Sequence, residues 1–332
     1  MLELTHPYES LTPDLILAAV ESRGFNCDGH LQALNSYENR VYQVGIDDGQ
    51  PLIAKFYRPH RWSRGALLEE HQFVAELAAA ELPVVAPLTG PATHSLHEFG
   101  SFFFALFERR GGRAPEFDRH DALSTMGRFL ARMHTVGARQ PFAARGAIDI
   151  ETFGVQAVNA VRDDFIPADL SEAYGAITTQ LLARLEARFK QCGRITLLRV
   201  HGDCHGGNVL WRDDAPHFVD FDDARMAPAV QDLWMLLSGQ PEDQQAQLAT
   251  IIEAYESFRD FDYRELSLIE PLRTLRIMHF AAWLARRWSD PAFPRAFPWF
   301  NTQAYWEKHI VELKEQLAAL DEPLMPSSLQ TH

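Results

Sequence analysis

The chain has 332 residues, of which 46% are hydrophobic, so it can bury a large core and should divide into about two domains. Its net charge of −14 argues against a nucleic-acid partner, because a polyanion would be repelled, and tolerates a cationic substrate such as a basic peptide or an amino sugar. It has no apolar run of about 18 residues, no signal-peptide pattern and only three cysteines, which together predict a cytoplasmic protein without a membrane segment or disulfide framework.

The N-terminal part reads as one short helix followed by strands. Thr12 and Pro13 suit the N-cap and first position of a helix over residues 13–21. Three β-like runs follow without intervening helices, at residues 27–34, 40–46 and 51–57. Strands joined by such short connections predict an antiparallel sheet.

Lys55 stands among apolar neighbours within the third of these runs. A lysine there can simply lie on the solvent face of the sheet, or it can pair with an acidic side chain. The helix predicted over residues 63–80 carries two candidates, Glu69 and Glu70. Glu70 fits better because it precedes the apolar face of that helix, and Glu69 remains the alternative.

Two more strands are predicted over residues 84–87 and 99–108, before a break at Arg110-Gly111-Gly112. After residue 119 the pattern becomes helical, with a second helix over residues 170–191 and a strand over 195–200. We therefore predict a domain boundary near residue 110, which gives one domain over residues 1–110 and another over residues 111–332.

The most informative stretch runs from Val200 to Asp223. A polar loop carries Asp203, His205 and Asn208 and enters an apolar strand over residues 209–211. After a turn, a second strand over residues 217–219 delivers Asp220. Because the two strands form a hairpin, the two carboxylates and the amide should converge, and such oxygen ligands suit Mg²⁺ beside a polyphosphate.

The run His201-Gly202-Asp203-Cys204-His205-Gly206-Gly207-Asn208 resembles the H-G-D-x-H-x-x-N loop of kinase-like phosphotransferases, the branch of aminoglycoside phosphotransferases, choline kinases and homoserine kinases. The resemblance implies an α+β, bilobal protein-kinase-like fold with a small antiparallel-sheet N-lobe and a larger, mainly helical C-lobe. It implies ATP and Mg²⁺ as cofactors and hinge backbone near residue 110 that binds adenine. Asp203 and Asp220 would be catalytic, Asn208 and Asp220 metal ligands, and Lys55, oriented by Glu70, a phosphate ligand.

Two further segments resemble the bacterial stress response kinase A family in particular. They are Asn35-Ser36-Tyr37-Glu38-Asn39-Arg40-Val41-Tyr42 and Lys55-Phe56-Tyr57-Arg58-Pro59. The first occupies the place of the phosphate-covering loop but lacks the glycines of protein kinases. The resemblance implies that Ser36 is an ATP-site residue; the alternative is an ordinary turn serine.

Only eleven residues separate Asp220 from Asp232, which is too short for a phosphorylated activation segment. Gly202, in place of the arginine of protein kinases, agrees, because it offers no cation to an activation-loop phosphate. Asp232 is expected to accept backbone N–H groups of the catalytic loop, with a plain N-cap role as the alternative. Asp222 is a candidate for a second metal ion. A zinc site formed by His201, Cys204 and His205 lacks a companion Cys/His pair elsewhere.

The C-terminal part is predicted to contain helices over residues 244–256, 264–288 and 303–320, a loop over residues 291–298 and a disordered tail over residues 321–332. Several side chains of the second helix either line an acceptor cleft or serve as core and rim packing, and these are Arg273, Arg276, His279, Trp283, Arg286 and Arg287.

Three functions follow from these motifs. The resemblance favours a monomeric, ATP-dependent serine/threonine protein kinase that acts on a protein substrate. The alternative is a small-molecule alcohol kinase, because the catalytic loop is common to both. A nucleotide-binding module without catalysis does not explain why Lys55, Asp203, Asn208 and Asp220 all occur together.

Overall fold

A computed structural model describes residues 7–89, 94–117, 119–213 and 215–322. The N-terminal part contains helices α1 (Pro13–Glu21) and α2 (Arg64–Ala79) and strands β1 (Cys27–Ala33), β2 (Arg40–Ile46), β3 (Leu52–Phe56), β4 (His97–Phe99) and β5 (Phe102–Glu108). All but the first two residues of the tail predicted over 321–332 lie outside the described ranges.

The five strands form one antiparallel sheet in the order β1-β2-β3-β5-β4. Helix α1 begins as predicted, because the Thr12 side chain accepts a hydrogen bond from the Leu15 N–H and Pro13 occupies the first turn. Its apolar side chains pack on the sheet around Phe56 and Phe104, which are fully buried. The predicted antiparallel sheet is therefore confirmed, and β3 lies at its centre.

Two predictions for the segment before residue 108 were wrong. Residues 84–87 do not form a strand; Val84 and Pro87 make only isolated bridges, to Phe218 and Phe107. Prolines at positions 83 and 87 have no N–H to donate to a ladder. The strand predicted over residues 99–108 is a hairpin instead, since Gly100 has a φ of +60° and turns the chain between β4 and β5.

The C-terminal part is mainly helical. Its helices are α3 (His120–Gly137), α4 (Gln156–Arg162), which continues a π-helical turn (Glu151–Val155), α5 (Ser171–Cys192), α6 (Val230–Trp234), α7 (Pro241–Glu256), α8 (Ile269–Arg286), α9 (Ala292–Ala296) and α10 (Gln303–Asp321). Four short strands complete it, namely β6 (Leu198–Val200), β7 (Val209–Arg212), β8 (Ala215–Phe218) and β9 (Arg225–Ala227). Helices pack in pairs, α3 with α7, α5 with α10 and α4 with α8, around one large apolar core.

The last predicted helices also need correction. Residues 263–268 form a 3₁₀ turn, so the helix expected over residues 264–288 begins only at Ile269, where Pro271 fits the first turn. The loop expected over residues 291–298 contains the short helix α9. The small antiparallel sheet beside a larger helical body is the bilobal α+β arrangement that the motif predicted, while the boundary at residue 110 stays a prediction. None of the helices in the described ranges is long and apolar enough to span a membrane.

Candidate active site

One buried carboxylate, that of Asp232, binds the backbone at the start of the loop over residues 201–208. Asp232, near the start of α6, is fully buried and accepts the backbone N–H groups of His201 (2.8 Å) and Gly202 (2.9 Å). Its Oδ2 also lies 3.1 Å from Nε2 of His134, whose other ring nitrogen contacts the Tyr255 hydroxyl. The expected contact between Asp232 and the backbone of the catalytic loop is therefore present. His134 is a buried core residue whose two ring nitrogens are both hydrogen-bonded.

Gly202 occupies a position that no other residue fits without rearrangement. Its φ is +83°, and a Cβ atom there would lie 2.3 Å from the carbonyl oxygen of Asp223. The missing side chain lets the loop approach the segment that leads into β9, which pairs with β6 through Val200 and Arg225. Asp203, which follows Gly202 in the loop, is therefore near enough to Asp223 for the two charges to interact.

Asp203 faces polar and cationic groups. The Asn208 side-chain amide donates to the Asp203 carbonyl oxygen (2.9 Å) and lies 3.3 Å from its Oδ2. Nε2 of His205 is 3.4 Å from Oδ2, and a guanidinium nitrogen of Arg276 is 2.5 Å from Oδ1. Burial would raise the pKa of Asp203, but the hydrogen bond from His205 and the charge of Arg276 hold it below its ordinary value. The carboxylate is therefore ionised at neutral pH and able to accept a proton.

Lys55 reaches the C-terminal part from the centre of the sheet. It is 7% exposed, and its Nζ donates to Oδ1 of Asp220 at 2.8 Å. Glu70 lies 3.9 Å and Asp222 3.5 Å from the same nitrogen. Burial would lower the pKa of Lys55, but Asp220 and Glu70 outweigh it and raise that pKa, so the lysine stays charged. The solvent-face alternative for Lys55 is wrong.

Glu69, the other candidate partner of Lys55, points elsewhere. Its carboxylate accepts backbone N–H groups of Ala143, Ala144 and Arg145, 2.7–3.1 Å away. Glu70 instead binds the buried Arg145 guanidinium at 3.1 Å. Arg145, which sequence analysis missed because it lies in a segment without a motif, also donates to the carbonyl oxygens of Asp222 and Ala224.

A second arginine that sequence analysis missed, Arg61, organises the carboxylates after Asp220. Its guanidinium binds Asp222 and lies 2.6 Å from Asp223. Burial would raise the pKa of Asp223, but Arg61 and Arg225 keep it well below its ordinary value. Asp222 is thus occupied by Arg61 and Lys55; its participation in a second metal site stays a prediction. The only sequence feature that could have pointed to a role for Arg61 is its position soon after the strand that carries Lys55.

The loop over residues 35–39 is tied to the C-terminal part through Glu38. Its carboxylate accepts from the Trp283 indole (2.5 Å) and the Arg287 guanidinium, both on or next to α8. Arg58 lies 3.1 Å away and Arg61 3.7 Å away. Burial would raise the pKa of Glu38, but Arg61, Arg287 and Arg58 hold it below its ordinary value. We call these five residues the Glu38 cluster; it fixes the loop that carries Ser36.

All of the predicted site residues line one cavity of about 790 Å³, and these are Ser36, Lys55, Glu70, Asp203, Asn208 and Asp220. Apolar side chains from both lobes line it as well, among them Val41, Ile53 and Leu210. Of the six side chains for which an acceptor-cleft role was open, Arg276, His279 and Trp283 line the cavity. Arg273, Arg286 and Arg287 are engaged by other protein groups.

The donor set fits a hard divalent cation. Asp220 is half exposed to the cavity, in a left-handed backbone conformation with φ of 58°. Because the Asn208 amide nitrogen donates to Asp203, its side-chain oxygen remains available as a ligand. Oxygen ligands of this kind suit Mg²⁺. The zinc alternative has no support. Nε2 of His201 donates to the Val219 carbonyl oxygen, and its Nδ1 accepts from the Asp203 N–H. Cys204 is fully buried, and burial raises the pKa of its thiol.

The chain is similar in sequence to known phosphotransferases and kinases. Residues 30–269 match the phosphotransferase enzyme family. Stress response kinase A of Escherichia coli strain K12 is 46% identical over 317 residues, which cover 95% of each chain. Serine/threonine protein kinase RdoA of Salmonella typhimurium strain LT2 is 44% identical over 319 residues, again 95% of each chain.

Solved structures share the fold. Amicoumacin kinase hAmiN, in complex with AMP-PNP, Ca²⁺ and Ami, matches with a TM-score of 0.73 at 18% identity, over 93% of this chain and 94% of that one. A microcompartment-associated aminopropanol kinase matches with a TM-score of 0.69 at 18% identity, over 92% and 95% of the two chains. The fold class and the family predicted from the motifs are confirmed. The chain belongs to the phosphotransferase enzyme family and, within it, to the stress response kinase A family.

Proposed function

We propose that this protein is a protein kinase that transfers the γ-phosphoryl group of ATP to a serine or threonine hydroxyl in the presence of Mg²⁺. One observation carries the proposal: Lys55, Asp203, Asn208 and Asp220 face the same cavity, although 165 positions separate the first from the last. The relative named as a serine/threonine protein kinase, which is similar over nearly its whole length, supports a protein as the acceptor.

Each of the cavity residues has its own role in the proposed phosphoryl transfer. Asp203 orients the acceptor hydroxyl and takes its proton as the hydroxyl oxygen bonds to the γ-phosphorus and the bond to the bridging oxygen of ADP breaks. Lys55, oriented by Glu70, exchanges its contact with Asp220 for phosphate oxygens. Asn208 and Asp220 would hold Mg²⁺, which supplies positive charge against the phosphates when bound.

Transfer of label from ATP tests the proposal. The protein is incubated with γ-labelled ATP and Mg²⁺, first with basic and acidic proteins and then with a panel of amino sugars and choline-like alcohols. We expect label on protein, and a loss of about 10²- to 10⁴-fold in Asp203→Ala with ATP binding retained. Asp163→Ala removes an exposed carboxylate outside the cavity and is the matched control. Label found only on a small alcohol would contradict the protein-kinase assignment and favour the alternative.

A further inference from the structure

Part of the cavity wall uses side chains that the proposed nucleotide and metal sites leave unassigned. They come from the segment after α3, from β9 and from α8, and are Ile148, Phe153, Arg225, Arg276, His279 and Phe280. We call the two arginines, with Phe153 and His279 beside them, the arginine wall. Arg276 touches the Asp203 carboxylate, so this wall lies where an acceptor must enter.

Arg225 is a cation with no hydrogen-bond acceptor or ion-pair partner among the described residues. Within the described ranges its guanidinium forms no hydrogen bond or ion pair, and its Nε is buried and unsatisfied. The guanidinium packs between the rings of Trp62 and Phe153, 4.8 and 5.1 Å from their centroids. Burial, only partly offset by Asp223, lowers its pKa to about 10. A desolvated charge that protein groups leave unpaired is costly, and such a charge in a cleft marks a place for a ligand of opposite sign.

The acids nearest to Arg225 are already engaged. Asp223 binds Arg61 at 2.6 Å, and Asp149 accepts from the hydroxyl and the N–H of Thr152, both at 2.7 Å. Neither forms an ion pair with Arg225. The described acids near Arg225 thus leave its guanidinium without a hydrogen-bond acceptor, which a ligand in the cavity can supply.

Arg276 has a partner, but one that it must give up. Its guanidinium lies 2.5 Å from Oδ1 of Asp203, the carboxylate that an acceptor hydroxyl would need to approach. A neutral acceptor would bring no anion of its own to take the place of Asp203 beside Arg276. An acceptor that carries its own anion offers that replacement.

His279 adds no positive charge to the arginine wall. The imidazole stacks on Phe153 with the ring centroids 4.0 Å apart. Burial, with the charges of Arg225, Arg286 and Arg287, lowers the pKa of His279 to about 3, while Asp223 acts in the opposite sense. The ring is therefore neutral at physiological pH, and the formal charge of the arginine wall comes from its arginines. This is opposite in sign to the chain as a whole, whose net charge is −14.

We propose that the acceptor presents an anionic group beside its hydroxyl, and that Arg225 and Arg276 bind that group as the hydroxyl reaches Asp203. This inference rests on the proposed phosphoryl transfer and specifies its acceptor. The anion is a carboxylate or phosphate, supplied either by a residue next to the target serine or threonine of a protein or by a small hydroxy acid. Planar guanidinium groups bind such anions through paired hydrogen bonds.

Acceptor preference is the direct test. Transfer from labelled ATP is measured to peptides with one serine flanked by acidic, neutral or basic residues, and to 3-hydroxybutyrate against its neutral amide. We expect kcat/KM to be about tenfold or more higher for the anionic member of at least one set, as one charge-assisted contact would give. The set that shows the preference identifies the source of the anion. A wild-type preference for neutral or basic acceptors in both sets would overturn the inference.

Matched variants separate recognition from folding. Arg225→Met keeps the aliphatic stem between the two rings and should abolish the preference for the anionic acceptor while KM for ATP is unchanged. Arg225→Lys keeps the charge and should retain most of the preference. Arg286→Met, at an arginine that donates to the Gln156 carbonyl and does not line the cavity, should behave as wild type. An equal loss in Arg225→Met for all acceptors and for ATP would show a merely structural role and overturn the inference.

Binding provides a readout that does not depend on transfer. The full chain, loaded with AMP-PNP and Mg²⁺, is titrated calorimetrically with the acidic peptide and with 3-hydroxybutyrate. At least one should bind, about tenfold more weakly to Arg225→Met. If neither binds, the inference fails. Transfer that favours basic peptides, together with no preference for 3-hydroxybutyrate over its amide, leaves the proposed function standing and removes only the inference. Transfer to no protein or peptide removes the assignment as a protein kinase.

Discussion

Removing the charge of Glu38 should loosen the connection between the two lobes. Glu38→Gln keeps the shape of the side chain and an acceptor for the Trp283 indole, but leaves Arg58, Arg61 and Arg287 around a neutral amide. These side chains are only 8–13% exposed, so solvent screens them weakly. Breaking a buried ion pair by removing one partner costs about 3–5 kcal/mol, and we expect a loss of about 3 kcal/mol in the free energy of unfolding.

Urea unfolding at pH 7 measures this loss, and calorimetric titration measures the Kd for ATP, which should rise because the loop carrying Ser36 is no longer fixed. Glu98→Gln, at an exposed glutamate of β4, is the control and should change stability by less than about 0.5 kcal/mol. The pKa of Glu38 is held below its ordinary value, so its contribution is present at neutral pH and is lost only as the pH falls through that lowered pKa. If Glu38→Gln unfolds at the same urea concentration as Glu98→Gln, the Glu38 cluster does not join the lobes.

Three further changes test residues that support the catalytic loop directly or through α6, where Glu265 accepts the backbone N–H of Val230 at 2.9 Å. Asp232→Asn should cost about 1–3 kcal/mol of stability and lower kcat, because an amide nitrogen then faces one of the two loop N–H groups. Urea unfolding measures the loss of stability, and a steady-state assay measures kcat. Unchanged values of both would refute the bracing role. Gly202→Ala should lose more stability than Gly24→Ala. Both glycines have a positive φ, but only a Cβ at position 202 lies against the Asp223 carbonyl oxygen. Equal melting temperatures of the two variants would contradict this. Burial raises the pKa of Glu265 to about 7. The free energy of unfolding of the wild type should therefore fall by about 3 kcal/mol as the pH rises from about 4 through 7, whereas that of Glu265→Gln should not. The same dependence of the free energy of unfolding on pH in both proteins would show that Glu265 is not the cause.

The parts of the fold that follow local rules could be predicted from the sequence. Thr12-Pro13 marked the start of α1, and the short connections of the first three strands marked an antiparallel sheet. The motif around Asp203 placed three side chains in one cavity because a hairpin returns Asp220 to the loop. Errors arose where one residue overrides a pattern, as at Gly100, whose positive φ divides an apolar run into two strands.

Apart from the pairing of Lys55 with Glu70, the ion-pair partners could not be predicted, because they depend on tertiary contacts. Glu69 and Glu70 are adjacent in sequence, yet one caps backbone N–H groups of a distant loop and the other faces Lys55. Arg145 and Arg61 carry no motif, and their importance follows only from the carboxylates and carbonyls that surround them. Two of the partners of Glu38, Trp283 and Arg287, lie more than 240 positions further along the chain.

The glycine at position 202 also limits how this scaffold could evolve. A side chain there would need a left-handed backbone and would collide with the neighbouring carbonyl, so a single substitution cannot install the arginine that receives an activation-segment phosphate in protein kinases. Acquiring that kind of switch would demand a simultaneous remodelling of two chain segments.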